Sequence, residues 1–163
     1  MIAWTISAAL AAKSLDRVVV STEDEEIAQI ARNLGADVPF LRPGELADDE
    51  TTTLAVLRNV VHELEVREGY FCDAVMTLQP TSPMRKTAHI DEAVALFSAD
   101  PQADSLVSCI AVPHIYHPRS VMKRDDQGYL VPCLNDSQPT RRQDKEPVFA
   151  RNGAAIYITR RIC

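Results

Sequence analysis

The chain of 163 residues has few glycines, few aromatic residues and no long apolar run. Its five glycines are isolated, so they form no glycine-rich loop of the kind that cradles a phosphate group. No apolar stretch approaches the roughly 18 residues that a membrane-spanning helix needs. The apolar residues 1–12 lack a basic leader and a cleavage site, so we do not interpret them as a secretory signal.

Cysteine and positive charge are also limited. The four cysteines, at positions 72, 109, 133 and 163, are far apart and form no CxxC pair. Such spacing is typical of reduced thiols in a cytoplasmic protein rather than of a zinc site or a disulfide framework. The formal net charge of −6 at pH 7 argues against a basic surface for nucleic acid or lipid. We therefore expect a cytoplasmic protein with neither a nucleic-acid nor a membrane partner.

Apolar periodicity alternates between strand and helix along the chain. Short apolar runs predict buried strands at residues 17–21, 36–41, 73–78, 105–112 and 154–158, and amphipathic stripes between the first four predict helices. This alternation indicates an α/β fold with a doubly wound, mainly parallel sheet. The 46% apolar content suits a single domain over residues 1–163, with an irregular or β-rich excursion at 113–147 that carries substrate contacts.

The first predicted helix begins at residue 2 with no strand before it. In an α/β domain a helix ordinarily follows a strand, because it connects two strands of the sheet. We therefore expect that a preceding segment of the fold is missing.

The predicted strand at residues 73–78 ends in the run LQPTSPMR, residues 78–85. Each proline fixes its own φ angle and disfavours helix at the preceding residue, so Gln79 and Ser82 are held in place. The carboxyl ends of strands are where open α/β sheets bind ligands. The carboxamide of Gln79 offers a donor and an acceptor, which suits a polyhydroxylated ligand, although Gln79 could equally be a simple turn residue. We expect Arg85 to hold the turn rather than to contact a ligand.

A second polar segment, RPGELADDETTT at residues 42–53, follows the predicted strand at 36–41. An arginine at a strand end, facing free backbone N–H groups at a helix start, can bind a base or a phosphate. The simpler interpretation is a loop whose Asp and Thr residues cap the next helix.

The densest cationic segment is PTRRQDKEP, residues 139–147. Because acidic residues interleave it, a solvated loop of mixed charge is one interpretation. The other is an anion site, since the planar fork of arginine binds carboxylates and phosphates at two points. His114 and His117 lack the further ligands that a metal site needs.

Together these segments resemble the sugar-acid cytidylyltransferases, the CMP-N-acylneuraminate (sialic acid) synthetases. LQPTSPMR is similar to the family's LQPTSPLR, residues 42–53 to its RPxxLAxDxxxT/S element, and residues 140–157 to its TRRQDxPxxY and NGAxY elements. The resemblance covers nearly the whole chain. It implies a nucleotidyltransferase domain of the GT-A-like, Rossmann type, which transfers CMP from CTP to a nonulosonic, sialic-acid-like sugar with release of pyrophosphate.

The resemblance also implies roles for particular residues. Those implied to hold the nucleotide are Arg42, Thr51 and Thr53, and those implied to contact the sugar acid are Gln79, Arg142, Arg151, Asn152 and Tyr157. Arg151 departs from the family spacing, because Ala150 stands where the family's arginine falls.

Two of the family's elements have no counterpart in these 163 residues. Its phosphate loop, of PARGGSKG type, would precede residue 2, and its metal-binding carboxylates would follow the last strand. The resemblance thus implies a Mg²⁺ cofactor and a homodimer, but it assigns no catalytic residue or metal ligand here. We expect this chain alone to be inactive. A non-catalytic module that binds nucleotide or sugar acid, and a KDO-type cytidylyltransferase, are the alternatives.

Overall fold

The computed structural model describes residues 1–134, 141, 143, 145–151, 153 and 155–161. The chain divides into two compact units, one formed by Met1–Ser108 with Gly153–Cys163 and the other by Cys109–Asn152. The predicted excursion at 113–147 lies within the second unit.

The described helices of the first unit are α1 (Ile2–Leu10), α2 (Glu25–Asn33), α3 (Thr53–Glu68) and α4 (Thr87–Ala99). Side chains at the N-termini explain where two of them begin. Asp24 accepts hydrogen bonds from the first-turn N–H groups of α2, and Thr52 accepts one from Ala55 N at 3.3 Å in α3. At its other end α3 stops at Gly69, whose φ of +63° is the left-handed conformation that glycine adopts without strain.

The central sheet of the first unit has three strands in the order β1, β7, β2. Here β1 is Ala74–Thr77, β2 is Ser105–Val107 and β7 is Tyr157–Arg160, and β7 runs antiparallel to both neighbours. Beside these strands, residues 17–21 and 36–41 make one parallel bridge between Val19 and Asp37.

The α/β class is confirmed, whereas the predicted doubly wound, mainly parallel sheet is not. Every described pair of named strands is antiparallel. The reason is that β7 lies between β1 and β2 and runs in the opposite direction to both. An apolar run such as residues 156–158 marks a buried strand but does not encode its direction.

Helix α1 packs into two groups of buried apolar side chains. Ala9 joins Ile90 and Phe97 of α4 and Ile158 of β7 in one group. Ile6 packs with the buried alanines of α2 and with Val38 in the other. Helix α1 therefore contributes side chains to both groups. Burying an isoleucine side chain such as that of Ile6 contributes about 1.5–3 kcal/mol to the free energy of folding.

The second unit contains two antiparallel strand pairs. β3 (Cys109–Ala111) pairs with β6 (Phe149–Arg151), and β4 (Met122–Arg124) pairs with β5 (Leu130–Pro132). His117 is buried there. Its Nδ1 accepts a hydrogen bond from Arg119 N at 3.1 Å, so Nε2 carries the proton and donates to Glu146 O at 3.1 Å.

No helix in the described part of the chain combines the length and the apolar character needed to cross a bilayer.

Candidate functional site

A cavity of about 550 Å³ lies in the first unit. Residues 17–21, β1 with the turn after it, and helices α1 and α3 border it. Its volume falls in the range of roughly 300–1,000 Å³ typical of small-molecule sites. Three polar residues that each follow an extended segment line it, namely Ser21, Arg42 and Gln79.

Four of the predicted site residues line this one cavity: Arg42, Thr51, Thr53 and Gln79. They come from two loops that are distant in sequence, the 42–53 segment and the LQPTSPMR turn. The geometry therefore joins the residues implied to hold the nucleotide with the glutamine implied to contact the sugar acid. Their individual roles stay predictions.

Only some of the hydrogen-bond donors of the Arg42 guanidinium group have partners among the described residues. Its Nη2 forms an ion pair with Glu23 Oε2, and the hydrogen bond from Arg42 holds the pKa of Glu23 below its ordinary value. The Nε atom is buried and has no hydrogen-bond partner among the described residues. Leaving a buried donor unpaired costs about 1–3 kcal/mol, so this N–H is suited to donate to a ligand.

Ser21 provides a second polar atom of the same kind. Its Oγ is buried, and no described residue pairs with it, yet Ser21 lines the cavity beside Arg42. The sequence analysis assigned Ser21 no role. The signal that could have found it is a hydroxyl at the carboxyl end of the β-branched run at residues 18–20, the edge where such sheets bind ligands.

Residues 42–53 show features of a helix-capping loop and of a ligand-binding loop, the two interpretations that the sequence offers. Thr51 Oγ1 donates to Asp48 Oδ1 at 2.6 Å, a contact that lowers the pKa of Asp48. Thr52 is the residue that caps α3. Thr53 is the first residue of α3 and lines the cavity, as Thr51 does. The threonines thus organise the loop, and two of them also face the cavity.

Arg85 positions Gln79 through the protein backbone. Its buried guanidinium donates from Nη2 to Gln79 O at 2.8 Å, from Nη1 to Thr5 Oγ1 at 3.3 Å and from Nε to Ala155 O. Burial lowers the pKa of Arg85 from its ordinary value. The arginine thereby ties the LQPTSPMR turn to α1 and to the residue before Ile156. It holds the turn, as we expected.

The remaining predicted substrate residues do not line this cavity in the described part of the chain. Tyr157 is the first residue of β7, where it pairs with Thr77 and is half-buried. Arg151 is exposed on β6 in the second unit. Arg142 and Asn152 lie outside the described residues.

The magnesium implied by the resemblance finds no ligand set here. Among the described residues, no group of three or more His, Cys, Asp or Glu side chains could hold a metal ion. The cofactor stays a prediction.

Comparison with known proteins identifies the family. The family profile described as Cytidylyltransferase matches residues 1–160. The chain belongs to the cytidylyltransferase family. It is 34% identical over 164 residues to CMP-N,N'-diacetyllegionaminic acid synthase of Legionella pneumophila, covering 97% of this chain and 66% of that protein. It is 32% identical over 161 residues to an N-acylneuraminate cytidylyltransferase of Streptococcus agalactiae, covering 98% of this chain and 37% of that protein.

Among solved structures, the chain is similar to CMP:2-keto-3-deoxy-manno-octonic acid synthetase complexed with CTP. The TM-score is 0.66 at 18% identity, over 96% of this chain and 61% of that chain. At this identity the similarity shows the fold alone. The chain covers 66%, 37% and 61% of the lengths of these three proteins.

Proposed function

We propose that the cavity of the first unit binds the cytidine part of CTP and that the protein transfers CMP to a nonulosonic, sialic-acid-like sugar. The observation that carries this proposal is the placement of Arg42, Thr51, Thr53 and Gln79 around one cavity. Family membership supports the class of reaction. The names of the relatives, which act on legionaminic and neuraminic acids, support the class of acceptor.

Two groups of the cavity wall that have no partner among the described residues, Arg42 Nε and Ser21 Oγ, match the chemistry of a cytosine ring. Cytosine carries carbonyl and ring-nitrogen acceptors and an amino donor. Arg42 Nε can donate to an acceptor, and the hydroxyl of Ser21 can donate or accept. The apolar part of the cavity wall, which includes Val20 and Leu46, offers packing surface for the faces of the ring.

In the reaction, a hydroxyl oxygen of the sugar acid attacks the α-phosphorus of CTP. The bond from that phosphorus to the β-phosphate oxygen breaks, pyrophosphate leaves, and the hydroxyl proton is released. The contribution of this chain is to bind and orient both reactants, with the base against Arg42 and the sugar hydroxyls against Gln79. Orientation of this kind lowers the barrier because it replaces a bimolecular encounter with a prepared geometry. Bound magnesium would neutralise triphosphate charge, but the described residues do not fit it and we assign it no step.

The finer parts of the proposal follow from the resemblance. Arg142, Arg151, Asn152 and Tyr157 are proposed to contact the sugar acid, and the protein is proposed to work as a cytoplasmic homodimer. The acceptor could alternatively be a KDO-type sugar acid. The 163 residues on their own are proposed to turn over CTP slowly or not at all, leaving nucleotide binding as their measurable property.

Isothermal titration calorimetry with CMP, CTP, UMP and AMP tests the binding step. We expect the cytidine nucleotides to bind and UMP and AMP to bind more weakly or not at all. Equal affinity for all four would contradict a cytosine site. Pyrophosphate release in the presence of CTP, magnesium and either N-acetylneuraminate or KDO then separates an enzyme from a binding module and identifies the acceptor.

A further inference from the structure

Arg42 connects the wall of the cavity to the segment that precedes helix α2. Its backbone N donates to Thr22 O at 2.8 Å, which places Arg42 beside residues 21–23. Within those three residues the chain passes from Ser21, which lines the cavity, through the buried Thr22 to the exposed Glu23. The side chain of Arg42 is present at both ends of this path, because it lines the cavity and forms an ion pair with Glu23.

The backbone of Glu23 is held by the residues on either side of it. Thr22 is 5% exposed, and its Oγ1 accepts a hydrogen bond from Asp24 N at 3.2 Å. Asp24 in turn caps α2 by accepting from two N–H groups of the first turn. The carboxylate of Glu23 therefore projects from a fixed position, so little conformational entropy is lost when it pairs with Arg42.

The ion pair fixes the orientation of a planar group. Glu23 Oε2 accepts a hydrogen bond from Nη2 of Arg42. The guanidinium group is planar, and its N–H donors keep a fixed geometry relative to one another. Because Thr22 holds the backbone of Arg42 and Glu23 holds Nη2, the direction of the Nε–H is fixed as well. This Nε is the buried donor that has no partner among the described residues.

Glu23 acts from outside the cavity. Among the described residues that line the cavity, Arg42 is included and Glu23 is not. The side chain of Glu23 is 42% exposed, whereas that of Arg42 is 21% exposed. Immobilising a long side chain when a ligand binds lowers the affinity, because rotamer freedom is lost at that moment. A partner that holds the arginine before the ligand arrives removes much of this loss.

We propose that Glu23 is a positioning residue for nucleotide binding, which holds Arg42 so that its Nε–H faces the cavity before the ligand binds. This inference rests on the proposed function, in which Arg42 Nε donates to the base. It extends that function to a residue that does not touch the ligand. Its consequence is that the effect of Glu23 on nucleotide affinity depends on the presence of the Arg42 side chain.

Calorimetry with CMP on the full 163-residue chain tests this dependence. The proteins compared are wild type, Glu23→Ala, Arg42→Ala and the double variant. We expect Glu23→Ala to raise the Kd for CMP about three- to tenfold when Arg42 is present, as for a long side chain that must be immobilised on binding. In the Arg42→Ala background the same change should alter the Kd less than about twofold, because the two side chains act as one unit.

Two further variants control for charge and for folding. Glu25→Ala removes an exposed ion pair with Arg32 at the start of the same helix, and it should leave the Kd for CMP unchanged. Glu23→Gln keeps the size of the side chain but removes its charge, and its effect should also require Arg42. If Glu23→Ala does not fold, Glu23→Gln carries the comparison.

A second readout needs no nucleotide. It is the exchange with solvent of the Arg42 Nε proton, followed in ¹H–¹⁵N spectra of the free protein. We expect Glu23→Ala to accelerate this exchange several-fold, because the freed guanidinium reaches solvent, and Glu25→Ala to leave it unchanged. Equal exchange in wild type and Glu23→Ala would overturn the inference.

The outcomes separate this inference from the proposed function. If Glu23→Ala raises the Kd by the same factor with and without Arg42, it acts through the fold rather than through Arg42, and the inference is overturned. The inference alone is also overturned if Arg42→Ala weakens binding while Glu23→Ala does not. An Arg42→Ala protein that binds CMP as wild type does would contradict the proposed function, and this inference with it.

Discussion

Arg42 and Gln79 line one cavity, although each follows a different extended segment of the chain. Arg42 comes after residues 36–41, and Gln79 comes after β1. Polar side chains that leave neighbouring strand ends converge in open α/β sheets, which is why such edges bind ligands. The proposed function rests on this convergence.

Removing the Arg42 side chain should weaken nucleotide binding. Its Nε is a buried donor with no described partner, and a hydrogen bond from a charged group contributes about 1.5–3 kcal/mol. We expect Arg42→Ala to raise the Kd for CMP about tenfold or more in calorimetry. Arg32→Ala is the matched control, because Arg32 forms a comparable ion pair with Glu25 on the surface of α2. Unchanged affinity in Arg42→Ala would place the nucleotide elsewhere.

Ser21 should show opposite effects on stability and on binding. Its buried hydroxyl lacks a described partner, so Ser21→Ala removes an unsatisfied polar atom and is expected to raise the free energy of unfolding by up to about 1 kcal/mol. The same change should weaken CMP binding several-fold.

The control for this experiment is Ser108, whose hydroxyl accepts from Ile156 N at 3.0 Å and donates to Ile156 O at 3.2 Å. Ser108→Ala should lower the free energy of unfolding in urea titrations by about 1 kcal/mol. A Ser21→Ala protein that loses stability like Ser108→Ala would show that Ser21 is satisfied within the fold.

Arg85 should matter mainly for stability. Three acceptors, one on each of Thr5, Gln79 and Ala155, depend on its buried guanidinium. We expect Arg85→Ala to lower the free energy of unfolding by about 2–4 kcal/mol, because buried acceptors lose their donors and a void is left. In a urea titration Arg32→Ala, on the surface, should cost less than about 1 kcal/mol. A comparably small effect at Arg85 would mean that water replaces its contacts.

The ion pair of Glu23 with Arg42 should give a pH-dependent contribution to stability. Arg42 lowers the pKa of Glu23 below its ordinary value of 4.5. A carboxyl with a depressed pKa in the folded state stabilises the fold above its unfolded-state value, and the contribution disappears as pH falls through the folded-state pKa. The difference in unfolding free energy between wild type and Glu23→Gln should therefore be present at neutral pH and shrink below pH 4.5. A difference that stays constant down to about pH 3 would contradict the pairing.

The sequence predicted helices α1 to α4 and the strand β1, where the local signal was strong. The strands predicted at 17–21 and 36–41 are wrong as regular strands, because these extended segments share only the bridge between Val19 and Asp37. The run ending at Leu78 became β1, and the amphipathic residues after the threonines became α3. The start of α2 was less well predicted. Residues 22–25, Thr-Glu-Asp-Glu, have the form of a capping box that begins at Thr22, whereas Asp24 caps the helix and Thr22 accepts a hydrogen bond from Asp24 N. Serine, threonine and aspartate accept the same bonds, so the pattern alone does not fix the first residue.

The direction of β7 and the place of Ser21 in the cavity wall could not be predicted from the sequence and are seen only in the structure. Apolar periodicity marks a buried strand but does not encode its direction. Ser21 follows three valines and reads as the end of a strand. Its unpaired hydroxyl is visible only when the atoms around it are placed.

The most direct measurement of the central claim is the resonance of Arg42 Nε–H in a ¹H–¹⁵N spectrum during titration with CMP. If the cavity binds cytosine, this resonance shifts and saturates with CMP, UMP shifts it less, and the Nε–H of Arg32 stays in place. A CMP titration that leaves Arg42 Nε–H unshifted while shifting groups elsewhere would contradict the assignment of the nucleotide site.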